Sequence, residues 1–181
     1  MRHASLLHAL ATAGLFTGLF LGSGLISGAS AAATTGHALA VSVDDFKFID
    51  TSNEPTDQTA VHEKRLRAFM TALRDDITAD ERFELVPSSC APNCSTQGPA
   101  LIDRLRAASQ AGTQILIIGI VQKRSTLVQL VWTAVIDTTP QRVVLKQFFT
   151  FHGDNDEAWQ RAERFVSEEV RDRLLESRSQ Q

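Results

Sequence analysis

The chain of 181 residues has no tyrosine, two cysteines, two tryptophans, two methionines and five prolines. Without tyrosine, chemistry that needs a phenolic hydroxyl is excluded. Excess positive charge is also missing. Eighteen basic residues face 21 acidic ones, for a net charge of -3, so the electrostatic footprint of a general nucleic-acid binder is absent. Long apolar runs are scarce as well. After the first 31 residues the longest is Ile115 to Val121, far short of the roughly 20 residues that span a bilayer. The sequence carries no G-x-S-x-G elbow, no H-E-x-x-H, no phosphate loop and no G-x-G-x-x-G. These gaps argue against an enzyme and against a bound cofactor.

What is present begins with an address. Arg2 and His3 precede an apolar, glycine-broken run from Leu6 to Ile26, followed by small residues through Ala33. This is the three-part layout of a secretory signal, and Ala29-Ser30-Ala31 offers an A-x-A cleavage site. The expectation is a signal peptide over 1–31 and a single α/β domain over 32–181, located in the periplasm and free of the membrane after cleavage. The alternative is a retained amino-terminal anchor facing the periplasm, since the run is long enough to span. Gly14, Gly18, Gly22, Gly24 and Gly28 weaken such a helix and favour cleavage. Only Arg2 among charged residues would be removed, leaving 17 basic against 21 acidic groups, or -4.

In an oxidising compartment Cys90 and Cys94 read first as a local disulfide across a short loop. A ring this small adds about 2 kcal/mol before strain. A redox pair or a two-thiolate copper site is the alternative. The spacing is not C-x-x-C, and no further soft ligand lies nearby in sequence.

Leu39, Val41, Val43, Phe46 and Phe48 give a first strand over about 38–49, with an irregularity at Asp44 and Asp45. Leu66, Phe69, Met70, Leu73 and Ile77 recur at three- and four-residue steps in a helix over about 58–78. Phe83 to Val86 is a short strand. Pro99 opens a second helix and Gly112 ends it. Gln114 to Val121 reads as a strand buried on both faces. Leu127 to Ile136 and Val143 to Phe151 form the last two strands, and a helix over about 155–176 closes the chain. The order β-α-β-α-β-β-β-α predicts an α/β fold in two or three layers, with a mixed five-stranded sheet. Strand one lies between strands two and three, and strands four and five continue beyond.

Leu39–Phe46, Leu73–Val86, Ala111–Val121, Val135–Asp137 and the closing helix together resemble the amino-terminal domain of TolB and related envelope accessory domains. Asp45–Ser52 and Phe151–Trp159 resemble the signature segments of an uncharacterised family of small exported proteobacterial proteins. The first resemblance implies an accessory role exercised through an envelope protein partner; the second implies no established activity.

In such a sheet, ligands favour the crevice at the strand carboxyl ends. Asp50, Thr51 and Ser52 leave strand one there, and Lys123 leaves strand three. His152, Asp154 and Asp156 follow the last strand, and the cysteine loop is expected on the same rim. Plainer roles compete. Asp154, Asn155 and Asp156 precede a helix and suit capping, Asp50 to Ser52 suit a turn, and His152 suits a strand end. Trp132 and the phenylalanines suit the core, and His37 a mobile terminus. Two functions follow: a periplasmic binding or accessory module working at this rim or at a sheet edge, or a small-molecule or metal-binding protein, conceivably an enzyme, using Asp50, Lys123, His152, Asp154 and Asp156. Partner identity and oligomeric state are not encoded in any motif.

Overall fold

Strand β1 (Leu39–Val43) and strand β2 (Lys47–Asp50) occupy the stretch expected to hold one strand. Both pair in parallel with β4 (Ile115–Lys123), Val43 opposite Ile117 and Lys47 opposite Ile120. Three residues of the first segment therefore face two of β4, which is the extra residue of a bulge. The sequence pattern demands it: Val41 and Val43 are buried at odd positions, and Phe46 and Phe48 pack inward at even ones. One inserted residue moves the inward set from odd to even without exposing it. The expected five-stranded sheet thus has six strands. Phe46 occupies the space a side chain at position 119 would need, since a Cβ on Gly119 would lie 2.4 Å from the Phe46 ring.

The computed structural model describes residues 37–88, 90 and 96–179. The segment expected to be a signal peptide and its cleavage site lie outside these, as does Cys94 and with it the expected bridge to Cys90. Helix α1 (Thr59–Thr78) follows β2, then β3 (Phe83–Leu85), α2 (Gly98–Gln110) and β4. Strands β5 (Val128–Asp137) and β6 (Arg142–His152) and helix α3 (Asp156–Ser179) complete the order. The sheet runs β3-β1-β4-β5-β6, with β2 continuing alongside β4. Pairings among β1, β2, β3 and β4 are parallel, while β4–β5 and β5–β6 are antiparallel. Apart from the divided first strand, this is the expected arrangement.

Alternation along the strands sends residues to two different layers. Val41, Ile117, Val121, Val131, Val135 and Phe149 pack under α1 and α3, against Phe69, Leu73, Trp159, Val166 and Val170. Leu116, Ile118, Ala134 and Ile136 face the other way and meet Leu105 of α2. The result is three layers, with α2 covering only part of its face. The bulge fastens both outer layers. Asp44, 2% exposed, is ion-paired with Arg104 of α2 and accepts from Ser88. Its neighbour Asp45 turns to the opposite side and holds Arg74 of α1 at 2.6 Å. Among the described residues, no helix is long and apolar enough to cross a membrane.

Candidate functional site

Three of the four expected rim segments meet at the carboxyl end of β4. Lys123 stands opposite Asp50 of β2 and Gln129 of β5. Odd positions of β4 face α1 and α3, so the Lys123 side chain runs under that layer with 1% exposure. Its ammonium lies 2.9 Å from Glu54 Oε2 and 2.8 Å from Asp154 Oδ2, and donates to Gln58 Oε1 at 3.3 Å. The Lys123 carbonyl accepts from the Thr51 hydroxyl and the Thr51 amide, which fastens the loop after β2.

Asp154 is placed by the turn between β6 and α3. Gly153 adopts φ +96°, a conformation costly for side-chain-bearing residues, and lets the chain reverse immediately after His152. Asn155 caps α3 by accepting from the Ala158 amide at 2.8 Å. Asp154 is therefore released from the capping role and turned inward. It accepts from His62 Nε2, Arg65 Nη1 and Trp159 Nε1 in addition to Lys123. A carboxylate has about four lone-pair sites, and four donors use them all. His62 is fully buried, stacks on Phe48 with centroids 4.7 Å apart, and places Nε2 as the donor to Asp154. Arg65 bridges outward and gives its Nε to Asp156 at 2.8 Å.

The electrostatics follow from these contacts. Burial raises the Asp154 carboxyl, but the hydrogen bonds from Lys123 and His62 outweigh it and hold the group below the ordinary carboxylate value. Burial likewise opposes the charge on Lys123, and the bonds to Asp154 and Glu54 win, so its pKa is raised. The hydrogen bond from Arg65 lowers Asp156, and those from the Ser52 hydroxyl and amide lower Asp50. Gln129, also fully buried, has both amide atoms without a partner among the described residues, as do His62 Nδ1 and Glu54 Oε1. Such atoms are those an internal water satisfies.

The expected site residues therefore divide. Lys123 and Asp154 are joined directly, Thr51 through a backbone contact and Asp156 through Arg65. Asp50 and Ser52 bond each other in a turn instead. His152 ends β6 opposite Val128 with its side chain exposed, apart from the cluster. Of the segment expected to carry the cysteine loop, Ser88 and Cys90 are described and sit beside Asp44, level with Ile117; Cys94 lies outside the described residues. Glu54, Gln58, His62 and Arg65 are the members that the sequence reading passed over. His62 carried a signal, since it falls one turn before the buried stripe that begins at Leu66. Glu54 and Gln58 carried none. No group of three or more His, Cys, Asp or Glu among the described residues could hold a metal ion.

A second surface lies on the opposite face, where α2 stops short. Ile49, Ile120, Leu130, Trp132 and Phe148 line an open groove of about 550 Å³ with Gln122, Lys146, Thr96 and Gln97. Phe148 is 65% exposed, against the expectation that the phenylalanines are core; Phe165 on α3 is likewise exposed.

Residues 39–170 match the DUF3280 family, described as "Protein of unknown function (DUF2380)". No curated protein matches the chain. Among solved structures, the hypothetical protein CT253 from Chlamydia trachomatis is similar at 9% identity with a TM-score of 0.52, covering 74% of this chain and 96% of that one. TolB from Acinetobacter baumannii aligns at 15% identity with a TM-score of 0.48 over 77% of this chain, which spans only 29% of TolB. The C-terminal domain of LpoB from Salmonella enterica aligns at 12% identity with a TM-score of 0.39, over 66% of this chain and 86% of that one. At these identities the likeness is one of fold.

Proposed function

The chain belongs to the DUF3280 family, and from that premise we propose that it is an exported, non-catalytic accessory domain. It binds another protein of the cell envelope through the uncovered half of its sheet. The observation that carries this reading is Phe148, exposed at 65% in a groove with Trp132, Ile120 and Leu130. A large aromatic left in water beside other apolar groups is the composition of a contact surface, and Lys146 at its edge supplies a polar rim. The rim at Lys123 and Asp154 is poorly suited to the task, because its charges are already spent on one another. A carboxylate with four donors is equally poorly suited to serve as a nucleophile, base or metal ligand. Export is supported by the charged, apolar and small-residue layout of residues 1–31, and an oxidised Cys90–Cys94 pair fits that compartment.

The experiment is a pull-down from envelope extract with wild-type protein and with Phe148→Glu. The reading expects one partner retained by the wild type and lost from the variant, with both proteins equally folded. Retention by the variant, or no partner at all, overturns it. Mass spectrometry of the exported protein checks the remainder, with a mature start at Ala32 and a mass reduced by the two hydrogens of a disulfide.

A further inference from the structure

Helices α1 and α3 run side by side in the same direction, as Arg65 pairs with Asp156 near one end and Asp76 accepts from Ser167 near the other. Between them lies a trough of about 340 Å³. It exists because Ala68 and Ala72 on α1 present only methyl groups, leaving Phe69 and Trp159 as its floor. From Lys64 to Ala72 the trough follows nine residues of α1, roughly 12 Å. It is separate from the sheet-face groove, and nothing in the proposed function uses it.

Its chemistry is polarised along its length. Lys64 and the Arg65–Asp156 ion pair stand at one end. Glu163 closes the other, 3% exposed, and its Oε1 has no hydrogen-bond partner among the described residues. A buried carboxylate oxygen with no donor is costly to maintain. The groups facing Glu163 are Asp75 and Asp76 from α1 and Arg164 and Ser167 from α3. Acid thus outnumbers base at this end; Ser167 bonds to the carboxyl, and Oε1 is left for an incoming cation beside an apolar wall.

We propose that the α1–α3 trough is a binding site for a primary alkylammonium group, the chemistry of a lysine side chain, with the ammonium on Glu163 and the alkyl stem along Ala68, Ala72, Phe69 and Trp159. The ammonium supplies the donor that Glu163 Oε1 lacks, and the methylenes lie on apolar surface as lysine stems do on protein surfaces. At the far end the Asp156 carboxylate is already engaged by Arg65, so a second ammonium finds no unpaired acceptor there. Burial, with Asp76 adding repulsion, pushes Glu163 up to about 7, so binding strengthens as pH rises through that value and the carboxylate ionises.

The test uses the protein labelled with ¹³C at glutamate side chains and titrated with n-butylammonium chloride. Its arms are n-butanol, Nα-acetyl-lysine amide and 1,4-diaminobutane. We expect the Glu163 carboxyl resonance to shift with n-butylammonium, and its pKa to fall by about one unit at saturation. Butanol should bind at least tenfold more weakly, and the diamine no more tightly than the monoamine. Binding of the lysine derivative assigns the occupant to a protein side chain, and binding of butylammonium alone assigns it to a small amine; either supports the site. Glu163→Gln should weaken the amine at least tenfold, and Ala72→Leu, which fills the trough, should abolish binding while the far-ultraviolet spectrum is kept. Equal binding of amine and alcohol, undiminished binding by Glu163→Gln, or no binding by the wild type at pH 8 overturns the proposal.

Discussion

Lys123 Nζ lies 2.8 Å from Asp154 Oδ2, so the last residue of β4 is tied to the turn that launches α3. The pair closes one end of the sandwich. Through Glu54 and Gln58 it also gathers the loop between β2 and α1, and through His62 and Arg65 the first turns of α1. Three segments distant in sequence, the start of α1, the end of β4 and the turn before α3, are held by one saturated carboxylate.

Removing that carboxylate should be a stability mutation. Asp154→Ala leaves Lys123 with Glu54 as its one charged partner and His62 Nε2 without an acceptor, and breaking a buried pair costs roughly 3–5 kcal/mol. Urea denaturation should show a loss of that order. Asp156→Ala, which removes only the exposed outer partner of Arg65, should cost under about 1 kcal/mol.

The pH dependence should have two limbs of opposite sign. Asp154 is held below its ordinary value of 3.8, so its contribution is present above that pH and disappears as pH falls through the lower folded value. Glu163 is raised from 4.5 to about 7, so its contribution is full below 4.5 and is lost as pH rises through 7. The second limb is on the order of 3 kcal/mol before solvent screening and less after it. Glu163→Gln should flatten it, and thermal melts at pH 5 and pH 8 compare the two proteins directly.

The bulge makes a sharper steric prediction. Gly119→Ala places a methyl within the Phe46 ring, and overpacking of this kind costs about 1–3 kcal/mol. Phe46→Leu in the same chain should recover part of the loss, a coupling that a double-mutant cycle measures.

How far the sequence discloses this molecule is seen at two places. The change from odd to even apolar positions between Val43 and Phe46 marks the bulge, and it also divides the expected strand into β1 and β2. Alternation along β4 puts Lys123 on a buried face, which already demands a partner. The identity of that partner is less legible. Asp154, Asn155 and Asp156 all suit a helix start, and sequence does not tell which of them caps and which turns inward. Glu54 and Gln58 lie in an aperiodic loop where no pattern reports burial. The path that leaves β3 is no more legible, because it is set by what the chain meets, here Asp44 through Ser88.

The open sheet face should tolerate surface change. Phe148→Glu alters an exposed position and should shift stability by no more than about 0.5 kcal/mol, while α2 and the core beneath it remain as they are. Chemical denaturation of the variant checks this, and it makes any loss of binding interpretable.

The account rests most heavily on Phe148 being a point of contact in the envelope. A photo-crosslinking amino acid placed at 148, and in a separate protein at Phe165 on the opposite layer, tests this in intact cells. The account predicts one discrete adduct from position 148 and none from position 165. No adduct at 148, or the same adduct from both positions, would contradict it.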